Sequence, residues 1–149
     1  MAKTRTFIDS GVLIAAATGT DEVASRAMAV LDDPERTFVT SGFVRLEVLP
    51  KAKYHQRVDE AAFYDEFFDA VDEMVTSSAE LVNTAQAEAE LSGLPAMDAL
   101  HVTAVAMADC DVLVTAEKPT RTIFRTNAIE IETIRPDDTD RGQSGGNGR

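Results

Sequence analysis

One short stretch decides the kind of fold this chain can adopt: Thr6-Phe7-Ile8-Asp9-Ser10-Gly11-Val12-Leu13-Ile14. Its apolar start predicts a buried strand, because aromatic and β-branched residues favour strands. Its apolar end begins a segment with helical periodicity. The acidic residue Asp9 stands between the two, at the end of the strand. Strands that alternate with helices along a chain predict a parallel sheet, so the stretch points to an α/β fold.

The same alternation continues to residue 133. Strands are predicted at residues 6–8, 38–40, 74–76, 112–115 and 129–133, and helices at residues 12–17, 22–31, 42–52, 56–72, 79–92, 97–108 and 120–126. The predicted signals at helix ends are Ser41 and Ser78 as N-caps, Gly93 as a C-terminal cap, and Pro34 and Pro50 after helix ends. We expect one α/β domain over residues 1–136. Residues 137–149 are acidic and Gly-rich without an apolar anchor, which predicts a disordered tail.

Composition narrows the class of protein. A chain of 149 residues with 44% hydrophobic residues suits a single globular domain with one core. The sequence has no apolar run of membrane-spanning length, and its N-terminus passes into a strand instead of a signal peptide, so we expect a cytoplasmic protein. The net charge of -12 argues against a broad basic face for nucleic acid, although it allows a local site. The single cysteine, Cys110, excludes an intramolecular disulfide.

Four acidic side chains, Asp9, Glu47, Asp98 and Glu117, sit inside or at the end of apolar stretches. Burying one ionised carboxylate costs several kcal/mol unless a cation accompanies it, so four of them call for a common counter-charge. A bound divalent metal would supply it. Asp9 ends the first predicted strand, Glu117 follows the fourth, Asp98 opens a helix, and Glu47 lies in the helix after the second strand. In open parallel sheets, ligands bind beyond the carboxyl ends of the strands, which is where this arrangement places the acids.

Each acid also has an interpretation that needs no metal. Asp9 could cap the following helix, a contribution of about 1 kcal/mol, and Asp98 would be favoured by the dipole of its helix. Glu47 could be an ordinary exposed residue, and Glu117 a solvated or capping residue in a loop. The order and placement of all four together are more restrictive than any one of them.

Other polar side chains carry weaker signals. His101 follows Asp98 by three residues and shares its side of the predicted helix, but a lone histidine among apolar neighbours is more often a core residue than a ligand. His55 lies in a polar turn, and neither histidine is given a catalytic role. Ser41 and Thr115 could each place a hydroxyl near a metal, although capping and turn hydrogen bonds explain them as well.

Four phrases of the sequence carry a family resemblance. They are residues 7–14, 40–49, 94–101 and 115–117, and in turn they contain Asp9, Glu47, Asp98 and Glu117. In these phrases the chain resembles the PIN-domain nucleases, and its length and single-domain form resemble the VapC-type ribonuclease toxins of toxin–antitoxin pairs. The matching text covers most of residues 6–133. The chain departs from the pattern at Gly11, where the family often has Asn or another polar residue, and at Glu117, where Asp is commoner.

The resemblance implies a three-layer α/β/α domain with a central five-stranded parallel sheet, and metal-dependent hydrolysis of RNA phosphodiester bonds by an endoribonuclease. It implies that Asp9, Glu47, Asp98 and Glu117 are the catalytic residues and hold Mg2+ or Mn2+. Asp9 and Asp98 are the expected direct ligands, with the two glutamates bound directly or through water. These hard cations prefer oxygen ligands, so a carboxylate cage without His or Cys suits them and would hold zinc poorly. An antitoxin protein becomes a candidate partner beside the RNA substrate.

Other functions fit the same residues to different degrees. Phosphatases of the haloacid dehalogenase type need a second Asp where Gly11 stands, and receiver domains need adjacent acids where Ser10 follows Asp9. The main alternative is a PIN-like fold that acts as a non-cleaving RNA- or protein-binding module.

Two surface predictions concern partners. The predicted helix at residues 56–72 carries four aromatic residues on more than one face, which predicts that part of this surface joins a homodimer or holds an antitoxin: Phe63, Tyr64, Phe67 and Phe68. Four basic residues flank Glu47 and are predicted to steer a phosphate backbone towards the metal: Arg45, Lys51, Lys53 and Arg57.

Overall fold

The computed structural model describes residues 2–136, and the predicted disordered tail at residues 137–149 lies outside the described residues. Strands and helices alternate as the sequence predicts. In chain order the elements are β1 (Thr4–Ile8), α1 (Ser10–Thr18), α2 (Glu22–Leu31), β2 (Arg36–Ser41), α3 (Gly42–Tyr54), α4 (Val58–Ala70), β3 (Glu73–Val75), α5 (Ala79–Ser92), α6 (Ala96–Met107), β4 (Val112–Thr115), a 3₁₀ turn (Thr122–Arg125) and β5 (Ile131–Thr133).

The five strands form one parallel sheet in the order β3-β2-β1-β4-β5, which confirms the predicted fold class. The chain builds β1, β2 and β3 outward on one side, then returns to add β4 and β5 on the other. Right-handed crossovers therefore place α1 to α4 on one face of the sheet and α5 and α6 on the other, giving three layers. The strand order reverses between β1 and β4, so the crevice beyond their carboxyl ends lies next to Asp9.

The core lies where the central strands meet both helical layers. Phe7 and Ile8 of β1, Val39 of β2, and Leu113 and Val114 of β4 are fully buried. Because these strands are covered on both faces, their apolar residues are continuous instead of alternating. None of the helices in the described part of the chain is long and apolar enough to cross a membrane.

The aromatic residues of α4 pack inward further than the sequence suggests, and a partner surface on this helix stays a prediction. Tyr64 and Phe68 are buried, and Phe63 and Phe67 are half-buried against the core. The helix contacts α1 and α3, which gives its rings more than one apolar surface to cover. The Tyr64 hydroxyl donates to Glu60 Oε2 at 2.6 Å, so even its polar atom is satisfied within the chain.

Most predicted helix ends are confirmed. Ser41 and Ser78 each accept a backbone N–H of their helix's first turn, and Gly93 ends α5 with φ 67°. Pro50 was expected after a helix end but lies inside α3, which continues to Tyr54. The proline removes the N–H that would bond the carbonyl of Leu46, and Leu46 lies on the exposed side of α3, where water can satisfy that carbonyl.

Two further boundaries differ. The predicted helix at residues 56–72 begins only at Val58, since Gln56 has a left-handed φ of 57° that breaks the chain between α3 and α4. The predicted helix at residues 120–126 is a short 3₁₀ turn, and the last strand begins at Ile131.

Candidate metal centre

Asp9 is held at the switch point by two neighbouring elements. It follows β1 and is the N-cap of α1, where its Oδ1 accepts the backbone N–H of Ser10 at 2.7 Å. Its Oδ2 accepts the hydroxyl of Thr115, the last residue of β4, at 2.9 Å. This contact arises because β1 and β4 pair in parallel with Ile8 opposite Val114. Asp9 therefore caps the helix, as the interpretation without a metal predicts. It is also a buried carboxylate with a fixed orientation.

Glu47 approaches the same point from α3. The helix starts at the end of β2, the strand beside β1, and Glu47 lies in its second turn. Its side chain is 34% exposed, and its Oε1 lies 3.1 Å from Nε2 of His101. Burial raises the pKa of Glu47, but the hydrogen bond and positive charge of His101 and a hydrogen bond from Ser10 outweigh it, and the net pKa is lowered.

His101 lies between the two carboxylates, although its sequence context predicts no catalytic role for it. It is 3% exposed, and its Nε2 is 3.7 Å from Asp9 Oδ1 as well as 3.1 Å from Glu47 Oε1. Burial lowers the pKa of His101, but the Glu47 hydrogen bond and the charges of Asp9, Glu47 and Asp98 raise it above its ordinary value. Its imidazolium form is thus a counter-charge within the chain. The available signal was its position one helical turn after Asp98.

Asp98 and Glu117 lie around this cluster instead of within it. Asp98, in the first turn of α6, is half-buried and accepts the hydroxyl of Thr122 at 2.7 Å. Glu117 is half-buried beyond β4, and its Oε2 lies 3.9 Å from Nε of Arg121. Glu117 and Asp9 both line a cleft of about 440 Å³ alongside α1.

Two smaller residues explain the local packing. Gly11 stands opposite Ala116, and a Cβ on Gly11 would come within 2.8 Å of the Ala116 Cβ. A larger residue would therefore not fit at position 11, because α1 lies too close to the loop after β4. Ser41 is fully buried and uses its hydroxyl as the N-cap of α3, accepting from Val44 N at 3.2 Å, so it is committed to capping.

The donor set fits a divalent cation. Among residues 2–136, the group of His, Cys, Asp and Glu side chains whose ligand atoms all lie within 4.8 Å of one another consists of Asp9, Glu47 and His101. Two carboxylates are the ligands that hard cations prefer, and the imidazole nitrogen of His101 can join them only after it has lost its proton. The cluster could therefore bind a metal at the strand-order reversal.

Several solved structures share this fold at low sequence identity. A chain of a toxin–antitoxin complex from Klebsiella pneumoniae superposes with a TM-score of 0.69 at 16% identity, covering 87% of this chain and 97% of that one. A chain of VapBC2 from Rickettsia felis, bound to a promoter DNA fragment, gives 0.66 at 15% identity with 87% and 98% covered. DNA-bound VapBC from Salmonella typhimurium gives 0.64 at 18%, with 90% and 99% covered.

The fold is PIN-like. Its three layers and its sheet of five parallel strands span almost the whole of each similar chain, which confirms the resemblance drawn from the four acidic phrases. At the level of sequence, neither a family model nor a curated protein matches this chain. The PIN-like fold places the acidic cluster at the edge of the sheet where such folds bind ligands.

Proposed function

We propose that this chain is a metal-dependent endoribonuclease that hydrolyses RNA phosphodiester bonds, with a single PIN-like domain over residues 1–136 and a cytoplasmic location. One observation carries the proposal: Asp9, Glu47 and His101 converge at the carboxyl edge of the sheet, where the strand order reverses. Asp9 and Glu47 would hold Mg2+ or Mn2+, with Asp98 and Glu117 completing the site from its rim. All four acids are the proposed catalytic residues.

The chain's own residues prepare this site. Ser10 and Thr115 each engage one oxygen of Asp9, so its carboxylate keeps one orientation without a cation. His101 holds a proton at Nε2 between Asp9 and Glu47, which offsets their mutual repulsion. When bound, a divalent cation supplies activation of water and neutralises charge that develops on the phosphate and leaving oxygens.

The proposal extends to the biological setting. We infer that the chain is the toxin of a toxin–antitoxin pair, with an antitoxin protein as partner and a homodimer as the assembled form. Support comes from the similar chains, which include a toxin–antitoxin complex and two VapBC complexes. Co-expression with the neighbouring gene, followed by purification through a tag on one chain, tests this. A chain that purifies alone and remains monomeric contradicts both partners.

Cleavage and melting together test the nuclease proposal. Wild-type protein should cleave a mixed pool of RNAs with Mg2+ or Mn2+ and lose the activity in EDTA, and its Tm should rise on adding either ion, because binding to the folded state stabilises it. Asp9→Asn, purified in the same way, keeps the α1 cap because Asn caps as well as Asp. It should lose at least ~100-fold in cleavage and most of the metal-induced rise in Tm. Equal cleavage by both proteins would identify a contaminating nuclease and sink the proposal.

One observation favours a second candidate, a PIN-like module that binds RNA or protein without cleaving. The nearby carboxylates raise the pKa of His101, which favours an imidazolium beside Asp9 and Glu47 as their counter-charge in place of a metal. If the chain is such a module, its Tm should not change when Mg2+ or Mn2+ is added. Asp9→Asn should then bind RNA or the partner as the wild type does.

A further inference from the structure

We propose that the exposed end of α3 is a stacking platform for unpaired RNA bases, formed by the ring of Tyr54 with His55 packed edge-on against it, and supplied with phosphate contacts by Lys51, Lys53 and Arg57. The inference rests on the proposed function for the choice of RNA. The further point is that the RNA is single-stranded where it leaves the acidic cluster, and that these five residues bind the RNA there.

The platform shares a face of α3 with the candidate metal centre. Glu47, Lys51 and Tyr54 are spaced at i, i+4 and i+7, which places them on one side of a helix. All three are exposed. At a rise of 1.5 Å per residue, Tyr54 lies about 10 Å along the helix from Glu47, a span that a few nucleotides cover. A strand leaving the cluster along this face meets a cation first and then an aromatic ring.

Tyr54 has the exposure of a binding residue and no role in the core. It is 83% exposed, and its ring packs edge-on against His55, at 5.1 Å between centroids and an interplanar angle of 84°. The left-handed Gln56 ends α3 immediately afterwards, so both rings stand at the corner between α3 and α4. Aromatic rings in this situation stack on bases of any sequence, because every base has a π-face.

The charge at this corner suits a phosphate backbone. Lys51 has no ion pair within residues 2–136, and Lys53 and Arg57 have only long ones, at 4.0 Å to Asp65 and 3.7 Å to Glu60. A groove of about 660 Å³ runs between Lys53 and Arg57 along α4. On a chain with a net charge of -12, cations gathered beside an exposed aromatic pair favour RNA over an apolar protein partner.

Fluorescence anisotropy with labelled RNA tests the platform. All proteins carry Asp9→Asn so that the RNA survives, and the probes are a short unstructured RNA and a blunt RNA duplex of the same length. Tyr54→Ala should weaken binding of the single strand roughly 5- to 100-fold and leave the duplex unchanged, since only unpaired bases can stack. Tyr54→Phe keeps the ring and should bind like its parent. Lys51→Ala should reduce the slope of log K against log salt by about the amount that one phosphate contact contributes.

Leu91→Ala is the matched control, because Leu91 on α5 is also 83% exposed and lies outside the proposed path. It should leave RNA binding unchanged. The platform is overturned if Tyr54→Ala binds the single strand as tightly as its parent, or if it alters only self-association or binding of a protein partner. Failure of the nuclease proposal looks different: RNA binding still depends on Tyr54, and the wild-type protein cleaves nothing.

Discussion

The two edges of the sheet pair their acidic side chains with different kinds of cation. The amino edge is the side of the sheet where the strands begin. There the guanidinium of Arg36, 14% exposed, lies 3.2 Å from Glu132 and 3.3 Å from Asp33. It also donates to the buried Thr6 hydroxyl at 3.0 Å. Arg5 pairs with Glu73 along the same edge. A guanidinium stays charged at every ordinary pH, so these acids have permanent partners.

At the carboxyl edge, Asp9 and Glu47 share one histidine instead. An imidazolium can lose its proton or be displaced by a stronger cation, so this edge can exchange its counter-charge and the amino edge cannot. The difference teaches how the two edges divide their work: the acids paired with Arg36 and Arg5 maintain the fold, and the acids paired with His101 are available for a ligand.

The largest expected contrast is between Arg36→Met and Asp9→Asn. Arg36→Met leaves the Thr6 hydroxyl and two carboxylates without their donor, so the free energy of unfolding should fall by about 2 kcal/mol. Asp9→Asn keeps the cap and removes a negative charge from the cluster, so its unfolding free energy should stay within about 1 kcal/mol of wild type.

Urea unfolding in EDTA, followed by cleavage assays well below the Tm, checks both variants. Arg36→Met should keep wild-type cleavage per folded molecule, whereas Asp9→Asn should lose it. An Arg36→Met protein that is stable but inactive would erase the distinction between the two edges.

The second prediction concerns pH and the metal-free protein. The pKa of His101 is raised in the folded state, so its contribution to stability is complete below its unfolded pKa and is lost as pH rises through the folded pKa. The pKa of Glu47 is lowered, so its contribution is present above its unfolded pKa and is lost on acidification. Unfolding free energy in EDTA should therefore fall as pH rises above about 6.5.

His101→Gln keeps a donor for Glu47 and should flatten this alkaline decline, while Arg36→Met should leave its shape unchanged because the guanidinium does not titrate. Urea unfolding at several pH values measures both. An alkaline decline of the same size in His101→Gln would assign it to another group.

The sequence was sufficient to predict the sheet and the place of Asp9. Strand and helix periodicities are local, and an acid at the end of the first strand must lie at the carboxyl edge. The pairing of Glu47 with His101 was not predictable, since it joins residues 54 positions apart on two helices whose rotation depends on packing. The same limit applies to the α4 aromatics: the contacts of α4 with α1 and α3 bury two of these rings and half-bury the other two, a division that their number alone could not predict.

The third prediction separates the rim of the site from its centre. Glu117 lies beyond β4, and its carboxylate faces Arg121 at 3.9 Å, outside the group formed by Asp9, Glu47 and His101. Glu117→Gln should lower kcat/KM by about 10-fold, less than Asp9→Asn, because outer partners of a metal site contribute on that scale. Glu117→Asp restores the acid that the resembled family more often has and should keep most of the activity. If Glu117→Gln loses as much activity as Asp9→Asn, Glu117 belongs to the centre of the site and not to its rim.

The smallest effect is expected at the amino edge, where Cys110 reports the local charge. Burial raises the pKa of its thiol to about 11, and among the nearby charges Arg5 lowers it while Glu73, Asp111 and Asp109 raise it. The acids outnumber the guanidinium around this thiol. Cys110 should therefore react slowly with iodoacetamide at pH 8, because the thiolate is the reactive form.

Asp111→Asn removes one of these acids while keeping an oxygen that can accept the backbone N–H of Arg5, a bond of 2.7 Å in the wild type. The pKa of the Cys110 thiol should fall slightly, and alkylation at pH 8 should become about two- to threefold faster, following the thiolate fraction. Asp98→Asn is the matched change at the carboxyl edge and should leave the rate unchanged, since Asp98 is not among the charges that act on this thiol. Rates are measured by mass spectrometry on folded protein in EDTA. If both variants speed alkylation equally, the thiol is responding to the overall net charge, and the two edges are not electrostatically separate.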